Sequence, residues 1–198
     1  MTDEEALVGA FAAISDRLGD ICGLFANAGI ALPEGPVHQL SSADWDLVIA
    51  THLRGSYVSA RETLTQMVDR GVAGSIVFTS SCVVQNAVPG VGGAYHAAKG
   101  ALEALSRSIA VDYGGYGIRC NSIAPGATET ELMWTGVPAS DREAARSSVT
   151  ERVVLGRVAD PREIARAAVW LLSEDSSYVT GTTLVVDGGV GALSVLPV

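Results

Sequence analysis

Short apolar segments alternate along this chain with helical segments of ten residues or more. The apolar segments read ICGLFANAG, GSIVFTSS, IRCNSIAPG and TTLVVDGG. Neighbouring parallel strands need a long crossover, usually a helix, whereas a tight hairpin joins only antiparallel strands. The alternation therefore predicts an α/β fold with helices on both faces of a parallel sheet. Because the sequence contains no internal repeat, linker or low-complexity tract, we expect one domain over residues 1–198.

The helical segments carry start and stop signals. Thr2 and Glu5 form the pattern of a capping box, which predicts a helix beginning at Thr2. A second, long helix is predicted between a cap at Ser41 or Ser42 and a stop at Gly71. The run ICGLFANAG is continuously apolar, which predicts a strand buried on both faces. Four apolar residues share one face of the first helix and should pack inward: Leu7, Phe11, Ile14 and Leu18.

Composition and charge exclude several classes of protein. The 198 residues are 48% hydrophobic and 18% charged, which is the balance of a compact core. A net charge of -9, with Lys and Arg scattered singly, argues against binding nucleic acid or an anionic membrane. No apolar run reaches the ~18 residues of a membrane span, and the first residues, MTDEEALVGA, are acidic, unlike a secretion signal. We therefore expect a cytoplasmic protein.

The three cysteines do not fit a disulfide framework or a zinc site. Cys22, Cys82 and Cys120 are odd in number and far apart in the sequence. We predict that Cys22 and Cys120 are buried strand residues, because cysteine is among the most buried residue types. Cys82, beside Ser81, is the one candidate for a reactive thiol.

Tyr95 and Lys99 are four residues apart at the start of a predicted helix. Positions i and i+4 share a helix face, so the two side chains can meet. An ammonium about 4 Å away contributes about 4 kcal/mol at an effective dielectric of ~20, enough to lower a phenol pKa by up to ~3 units. Such a tyrosine could exchange a proton with a hydroxyl or a carbonyl. Taken alone, the pair is more typical of an ordinary helix surface.

Five motifs, one of which contains the Tyr95–Lys99 pair, favour a functional role for it. The segments ANAG, SS, YHAAK, APGATET and YVTGTTLVVDGG occur in the order and approximate spacing of the short-chain dehydrogenase/reductase family. The sequence resembles bacterial members of the 3-oxoacyl-carrier-protein reductase and glucose dehydrogenase type. The resemblance implies a Rossmann-like doubly wound parallel sheet. It also implies an oxidoreductase that uses NAD or NADP to interconvert an alcohol and a ketone, both small molecules.

The resemblance assigns roles to the residues that match the family's motifs. Tyr95 would be the general acid/base, and Lys99 would lower its pKa and hold the nicotinamide ribose. Ser81 would position the substrate oxygen. It stands fourteen residues before Tyr95, where relatives usually have thirteen. Ser80 and Cys82 therefore remain alternative candidates. Residues resembling cofactor contacts are Asn27, Ala28, Gly29, Pro125, Gly126 and Thr130.

His52 departs from the family's pattern. Relatives usually carry an asparagine there, which helps a water chain deliver protons to the lysine. A histidine can donate, accept and change charge near neutral pH, so His52 is a candidate member of such a relay. Alternatively, it is a packed helix residue.

The Gly-rich turn that holds the cofactor's pyrophosphate in this family is absent from the sequence. We therefore expect a Rossmann-like sheet that lacks its first strands, either in a shortened sequence of an intact enzyme or in a natural short remnant. The edge of the strand ICGLFANAG would then lie unpaired. The two long helices resemble the pair that forms family homodimers and homotetramers. A non-catalytic assembly protein is accordingly the alternative function, whereas a hydrolase lacks the required serine turn.

Overall fold

A four-stranded parallel sheet forms the centre of the protein. The computed structural model describes residues 1–32, 35–88 and 90–193. The strands are β1 (Gly23–Ala26), β2 (Gly74–Thr79), β3 (Ile118–Pro125) and β4 (Thr183–Val186), in that spatial order. The helices are α1 (Glu4–Leu18), α2 (Ser42–Ile49), α3 (Gly55–Arg70), α4 (Gly93–Tyr113), α5 (Arg142–Thr150) and α6 (Pro161–Leu172). The predicted α/β class with a parallel sheet is confirmed.

Helices pack on both faces of the sheet, as predicted. On one face, Phe78 of β2 is fully buried against Leu64 of α3 and Leu102 of α4. On the other face, Val77 packs in a cluster with Leu171 of α6. Fully burying one such side chain contributes about 1.5–3 kcal/mol. Adjacent residues of β2 therefore anchor opposite helical layers.

The long helix predicted up to Gly71 has one local irregularity. Its cap is Ser41, whose hydroxyl accepts from the Asp44 amide at 3.0 Å, and it ends at Gly71, whose φ of 65° is left-handed. Between α2 and α3, residues Ala50–Arg54 form a π-helical turn. Such turns are rare and occur often at functional sites. The turn contains His52, the residue that departs from the family's pattern.

The first helix begins later than predicted. Asp3, rather than Thr2, caps α1, and its carboxylate accepts from the Ala6 amide at 2.9 Å. The predicted apolar face is only partly covered, because Ile14 is 42% exposed and Leu18 is 82% exposed. The helix packs against α3, and Ser15, towards its end, is its buried residue.

The prediction that Cys22 is buried in a strand is wrong. Cys22 is exposed and lies one residue before β1, which is only four residues long and partly buried. The strand lies at the edge of the sheet with β2 on one side, so no further strand of the described chain covers its outer edge. Cys120 in β3, between two other strands, is buried as predicted. Within the same residues, no helix is both long and apolar enough to cross a membrane.

Arg119 of β3 joins the sheet to the C-terminal end of α6. Its guanidinium donates to the carbonyl oxygens of Leu171 and Ser173 and to the Ser176 hydroxyl, each at 2.9 Å. The last carbonyls of a helix have no partner within it and carry the negative end of its dipole. The arginine therefore caps α6 and fixes it against β3.

We expect Arg119→Met to lower the free energy of unfolding by about 2 kcal/mol, because hydrogen bonds to charged groups contribute ~1.5–3 kcal/mol. Methionine retains an unbranched apolar stem, so most of the packing is kept. Urea denaturation measures the change. Arg107→Met, at an exposed position of α4, is the matched control. An equal loss in both variants would contradict the capping role.

Candidate active site

The carboxyl edge of the sheet gathers most of the predicted site residues. Asn27 follows β1, Ser81 follows β2, and Pro125 ends β3. Tyr95 lies in the first turn of α4, directly beside the end of β2. In open α/β sheets, ligands bind in the crevice outside this edge. The topology therefore brings distant parts of the sequence to one candidate active site.

Lys99 is buried beneath Tyr95. It is 3% exposed, and its ammonium nitrogen lies 5.4 Å from the centre of the Tyr95 ring. The ammonium donates to the carbonyl oxygen of Thr79, at the end of β2, at 2.6 Å. Burial lowers the pKa of Lys99 from 10.5 to about 8. The predicted meeting of the two side chains on one helix face is confirmed.

The expected effect of Lys99 on the Tyr95 phenol is absent from this structure. Burial raises the pKa of the phenol above its ordinary value, and a hydrogen bond with the Ser81 side chain opposes this only in part. The ammonium lies over the ring and is held by a backbone carbonyl. The expectation of a lowered pKa was wrong because it counted the charge and omitted the burial. Tyr95 is accordingly a neutral phenol here.

Of the two neighbouring serines, only Ser81 interacts with Tyr95. The Ser80 hydroxyl donates to the Glu103 carboxylate at 2.7 Å and to the Lys99 carbonyl at 3.3 Å, and the side chain is 1% exposed. Its hydrogen-bonding capacity is therefore used inside the fold. The Ser81 hydroxyl instead interacts with the phenol.

Cys82 has the properties of an unreactive thiol. It is half-buried and begins a short 3-10 turn, Cys82–Val84. Burial raises the pKa of its thiol, and the negative charge of Asp187 raises it further. A reactive cysteine needs a lowered pKa, because the thiolate is the nucleophile. Neither geometry nor charge favours Cys82 over Ser81 as the group facing Tyr95.

His52 joins Tyr95 to the loop after β1. Its ring is 1% exposed and meets the Tyr95 ring edge-on, with 5.2 Å between centres and 84° between planes. Its Nε2 atom lies 2.8 Å from the carbonyl oxygen of Ile30 and 3.1 Å from the Ile30 amide nitrogen. Burial and the nearby charge of Lys99 lower the pKa of His52 to about 4. The residue is thus a neutral imidazole at physiological pH.

Gly29 makes room for that imidazole. A β-carbon at position 29 would lie 2.5 Å from His52 Cε1 and 3.0 Å from Nδ1. The Nδ1 atom is buried and has no hydrogen-bond partner among the described residues. The other ring nitrogen, Nε2, donates to the Ile30 carbonyl oxygen in one tautomer and accepts from the Ile30 amide in the other. An imidazolium would bury a second N–H without an acceptor.

The remaining predicted cofactor contacts lie in two loops. Asn27, Ala28 and Gly29 are exposed, and the Asn27 side-chain oxygen accepts from the Thr79 hydroxyl at 2.9 Å. Gly126 approaches the chain after β4 so closely that a β-carbon would lie 2.6 Å from the Asp187 Cα atom. Thr130 is exposed and caps the 3-10 turn Glu131–Trp134. Both loops therefore expose polar and backbone groups near the carboxyl edge of the sheet.

An ion pair organises the segment between β3 and the end of α5. The Glu129 carboxylate is held by Arg146 of α5 and accepts from the indole N–H of Trp134 at 2.8 Å. The Arg146 guanidinium also stacks over the Trp134 ring at 5.1 Å. These groups line a cavity of about 370 Å³.

Glu103 is the buried polar residue that the sequence reasoning missed. It is 9% exposed and accepts from Ser80 and from the Gln85 side chain at 3.3 Å. Glu103 follows Lys99 by four residues, as Lys99 follows Tyr95, so helix periodicity could have placed it on the same face.

Comparisons with known proteins identify relatives of this chain. The family model described as Enoyl-(Acyl carrier protein) reductase matches residues 1–191. A cis-4-hydroxycyclohexanecarboxylate dehydrogenase of Sinomonas cyclohexanicum is 37% identical over 193 residues, covering 98% of this chain and 75% of that protein. An inactive 2-(S)-hydroxypropyl-CoM dehydrogenase 2 of Xanthobacter autotrophicus is 36% identical, covering 98% of this chain and 83% of that protein.

A solved structure gives the same result in three dimensions. The gluconate 5-dehydrogenase of Burkholderia cenocepacia J2315, crystallised with NADP and tartrate, superimposes with a TM-score of 0.88 at 30% identity. The match covers 98% of this chain and 73% of that one. Fold, site geometry and sequence identity together assign this protein to the short-chain dehydrogenase/reductase family.

Proposed function

We propose that the protein is an NAD(P)-dependent oxidoreductase that interconverts an alcohol and a ketone. The observation that carries this proposal is the meeting of Ser81, Tyr95 and Lys99 at the carboxyl edge of the sheet. Relatives named as dehydrogenases support the reaction class, and the NADP in a solved relative supports the cofactor class. NAD and NADP remain equal candidates.

The residues present fit the nicotinamide end and the adenosine-ribose side of a nicotinamide dinucleotide. The buried Lys99 ammonium has three donor protons, and the Thr79 carbonyl accepts one of them. Lys99 would hold the nicotinamide ribose, and the exposed loop Asn27–Gly29 would line the adenosine side. Pro125, Gly126 and Thr130 would hold the nicotinamide end. When bound, the cofactor supplies the hydride chemistry.

Tyr95 supplies the proton in this proposal. As a neutral phenol, it donates its proton to the carbonyl oxygen of the substrate while the carbonyl carbon is reduced. The Ser81 hydroxyl donates to the same oxygen and stabilises its developing negative charge. A raised pKa keeps the phenol protonated and therefore suits the direction of ketone reduction. The reverse reaction requires the phenolate and is favoured at higher pH.

We further propose that His52 positions the site and does not carry protons. Its Nε2 atom is occupied by the backbone of Ile30, and its buried Nδ1 atom has no hydrogen-bond partner among the described residues. The ring therefore holds the loop after β1 at a fixed distance from Tyr95. This role replaces the expectation that His52 changes charge near neutral pH.

The Gly29 contact provides a stability test. We expect Gly29→Ala to lower the free energy of unfolding by about 1–3 kcal/mol, the usual cost of overpacking. The φ angle of Gly29 is not positive, so the strain arises from the contact with His52 alone. Adding His52→Asn should recover part of the loss, because asparagine is shorter. Gly9→Ala, on the open side of α1, is the control.

Chemical denaturation measures the free energy of unfolding of five proteins: the parent, Gly29→Ala, His52→Asn, the double variant and Gly9→Ala. The close fit between Gly29 and the His52 ring is refuted if Gly29→Ala is as stable as the parent. It is also refuted if the double variant loses as much stability as the sum of the two single changes.

The buried imidazole also predicts a pH dependence. The unfolded chain binds a proton at His52 near pH 6.5, whereas the folded protein does so near pH 4. As the pH is lowered from 6.5 to 4, the free energy of unfolding should therefore fall, by roughly 3 kcal/mol in total from this group. His52→Gln should remove that part of the dependence, while His38→Gln, at an exposed position, should not. If the free energy of unfolding of both variants depends on pH in the same way, His52 is not a neutral buried imidazole.

The catalytic proposal is tested with Tyr95→Phe. Loss of the proton donor should reduce turnover about 10²–10⁴-fold, with the far-UV circular dichroism and the affinity for NADH or NADPH little changed. Tyr178→Phe, on a fully exposed ring, is the matched control. Cofactor absorbance measures turnover with a panel of alcohols and ketones, and ligand fluorescence measures cofactor binding. If the Tyr95→Phe protein turns over substrate as fast as the parent, Tyr95 is not the proton donor.

A non-catalytic role is the second candidate, and one observation favours it. A relative that matches 98% of this chain is named as an inactive dehydrogenase. In this alternative, α3 and α4 would serve assembly into a homodimer or homotetramer. Cofactor-dependent turnover of any alcohol or ketone in the panel would eliminate it, whereas a folded oligomer without turnover would support it.

A further inference from the structure

Glu103 is a buried carboxylate that the proposed chemistry does not use. It lies on α4 two turns after Tyr95 and one turn after Lys99. Burying a carboxylate is costly unless hydrogen-bond donors satisfy it. The donors that satisfy Glu103 therefore indicate what it does.

Both donors come from the segment that contains Ser81. The Ser80 hydroxyl donates to Glu103 Oε1 at 2.7 Å, and the Gln85 side-chain amide donates to the same atom at 3.3 Å. Ser80 precedes Ser81 directly, and Ser81 and Gln85 are the residues that cap the 3-10 turn Cys82–Val84 at its two ends. One carboxylate oxygen thus fastens this segment on both sides of Ser81.

The turn between these two attachments is itself ordered. The Ser81 hydroxyl accepts from the Val83 amide at 3.4 Å, and the Ser81 carbonyl accepts from the Val84 amide at 3.1 Å. The backbone carbonyl of Lys99 accepts from Ser80 as well, at 3.3 Å. The short connection between β2 and the turn therefore has little freedom relative to α4.

We propose that Glu103 is a positioning residue that fixes the Ser81 hydroxyl relative to the Tyr95 phenol. The inference rests on the proposed function for its catalytic consequence, and on the contacts alone for its structural consequence. Two groups that act on one substrate oxygen must keep their spacing closely, because a displacement of about 1 Å can cost 10²-fold in rate. Tyr95 and Glu103 share one helix, so a bond from Glu103 to the Ser81 segment sets that spacing.

Three variants separate positioning from general stability. Glu103→Gln keeps an oxygen acceptor of the same size for both donors. Glu103→Leu keeps most of the volume and removes the acceptor, and Ser80→Ala removes the stronger donor while leaving Glu103 in place. Asp112→Leu removes an exposed carboxylate near the end of the same helix and is the control.

Amide hydrogen exchange over residues 79–88 is the first readout, and kcat against KM for ketone and cofactor is the second. In Glu103→Leu we expect roughly tenfold faster exchange in this segment. We also expect a kcat lowered at least about tenfold, with cofactor KM nearly unchanged. Ser80→Ala should show both effects more weakly. Glu103→Gln and Asp112→Leu should match the parent protein.

The proposal is overturned if Glu103→Leu exchanges and turns over like the parent, or if Glu103→Gln is impaired as much as Glu103→Leu. If Glu103→Leu does not fold, Ser80→Ala against Glu103→Gln decides in the same way. A parent protein without turnover would contradict the proposed function, while the exchange rates would still decide whether Glu103 holds the Ser81 segment.

Discussion

The connection between the end of β2 and the first turns of α4 is the constraint on which the candidate site depends. The Lys99 ammonium bonds to the Thr79 carbonyl, and the Ser80 hydroxyl bonds to the Lys99 carbonyl and to Glu103. A strand end and a helix that are far apart in sequence are thereby fixed at three points. Tyr95 lies one turn before Lys99 on that helix, so its position follows from the same bonds.

Burial shifts the pKa of Tyr95, His52 and Lys99. It keeps Tyr95 protonated and His52 neutral, and it brings the pKa of Lys99 down to about 8. A buried ammonium with a single carbonyl partner is incompletely solvated, and polar hydroxyls of a ligand would improve its hydrogen bonding. The low dielectric that costs stability at Lys99 thus favours ligand binding beside Tyr95.

The sequence reasoning succeeded where the information is local and failed where it depends on neighbours. The strand GSIVFTSS and the helix beginning near Tyr95 were predicted from their own residues, and both exist in the structure. Cys22 was misplaced because burial of a strand depends on what lies beside it, and β1 is an edge. The phenol pKa was predicted in the wrong direction because burial is a tertiary property. The bonds of Glu103 could not be predicted, since they join α4 to a turn that has no periodicity.

The choice between Ser80, Ser81 and Cys82 shows how the fold resolves what spacing leaves open. Ser80 is the last residue whose amide pairs with β3, through the Ile123 carbonyl at 2.7 Å. Its side chain consequently points into the interior, where Glu103 accepts its hydroxyl proton. The Ser81 hydroxyl, just beyond the strand, is left to interact with the Tyr95 phenol. This contact supports assigning the extra residue between Ser81 and Tyr95 to the loop.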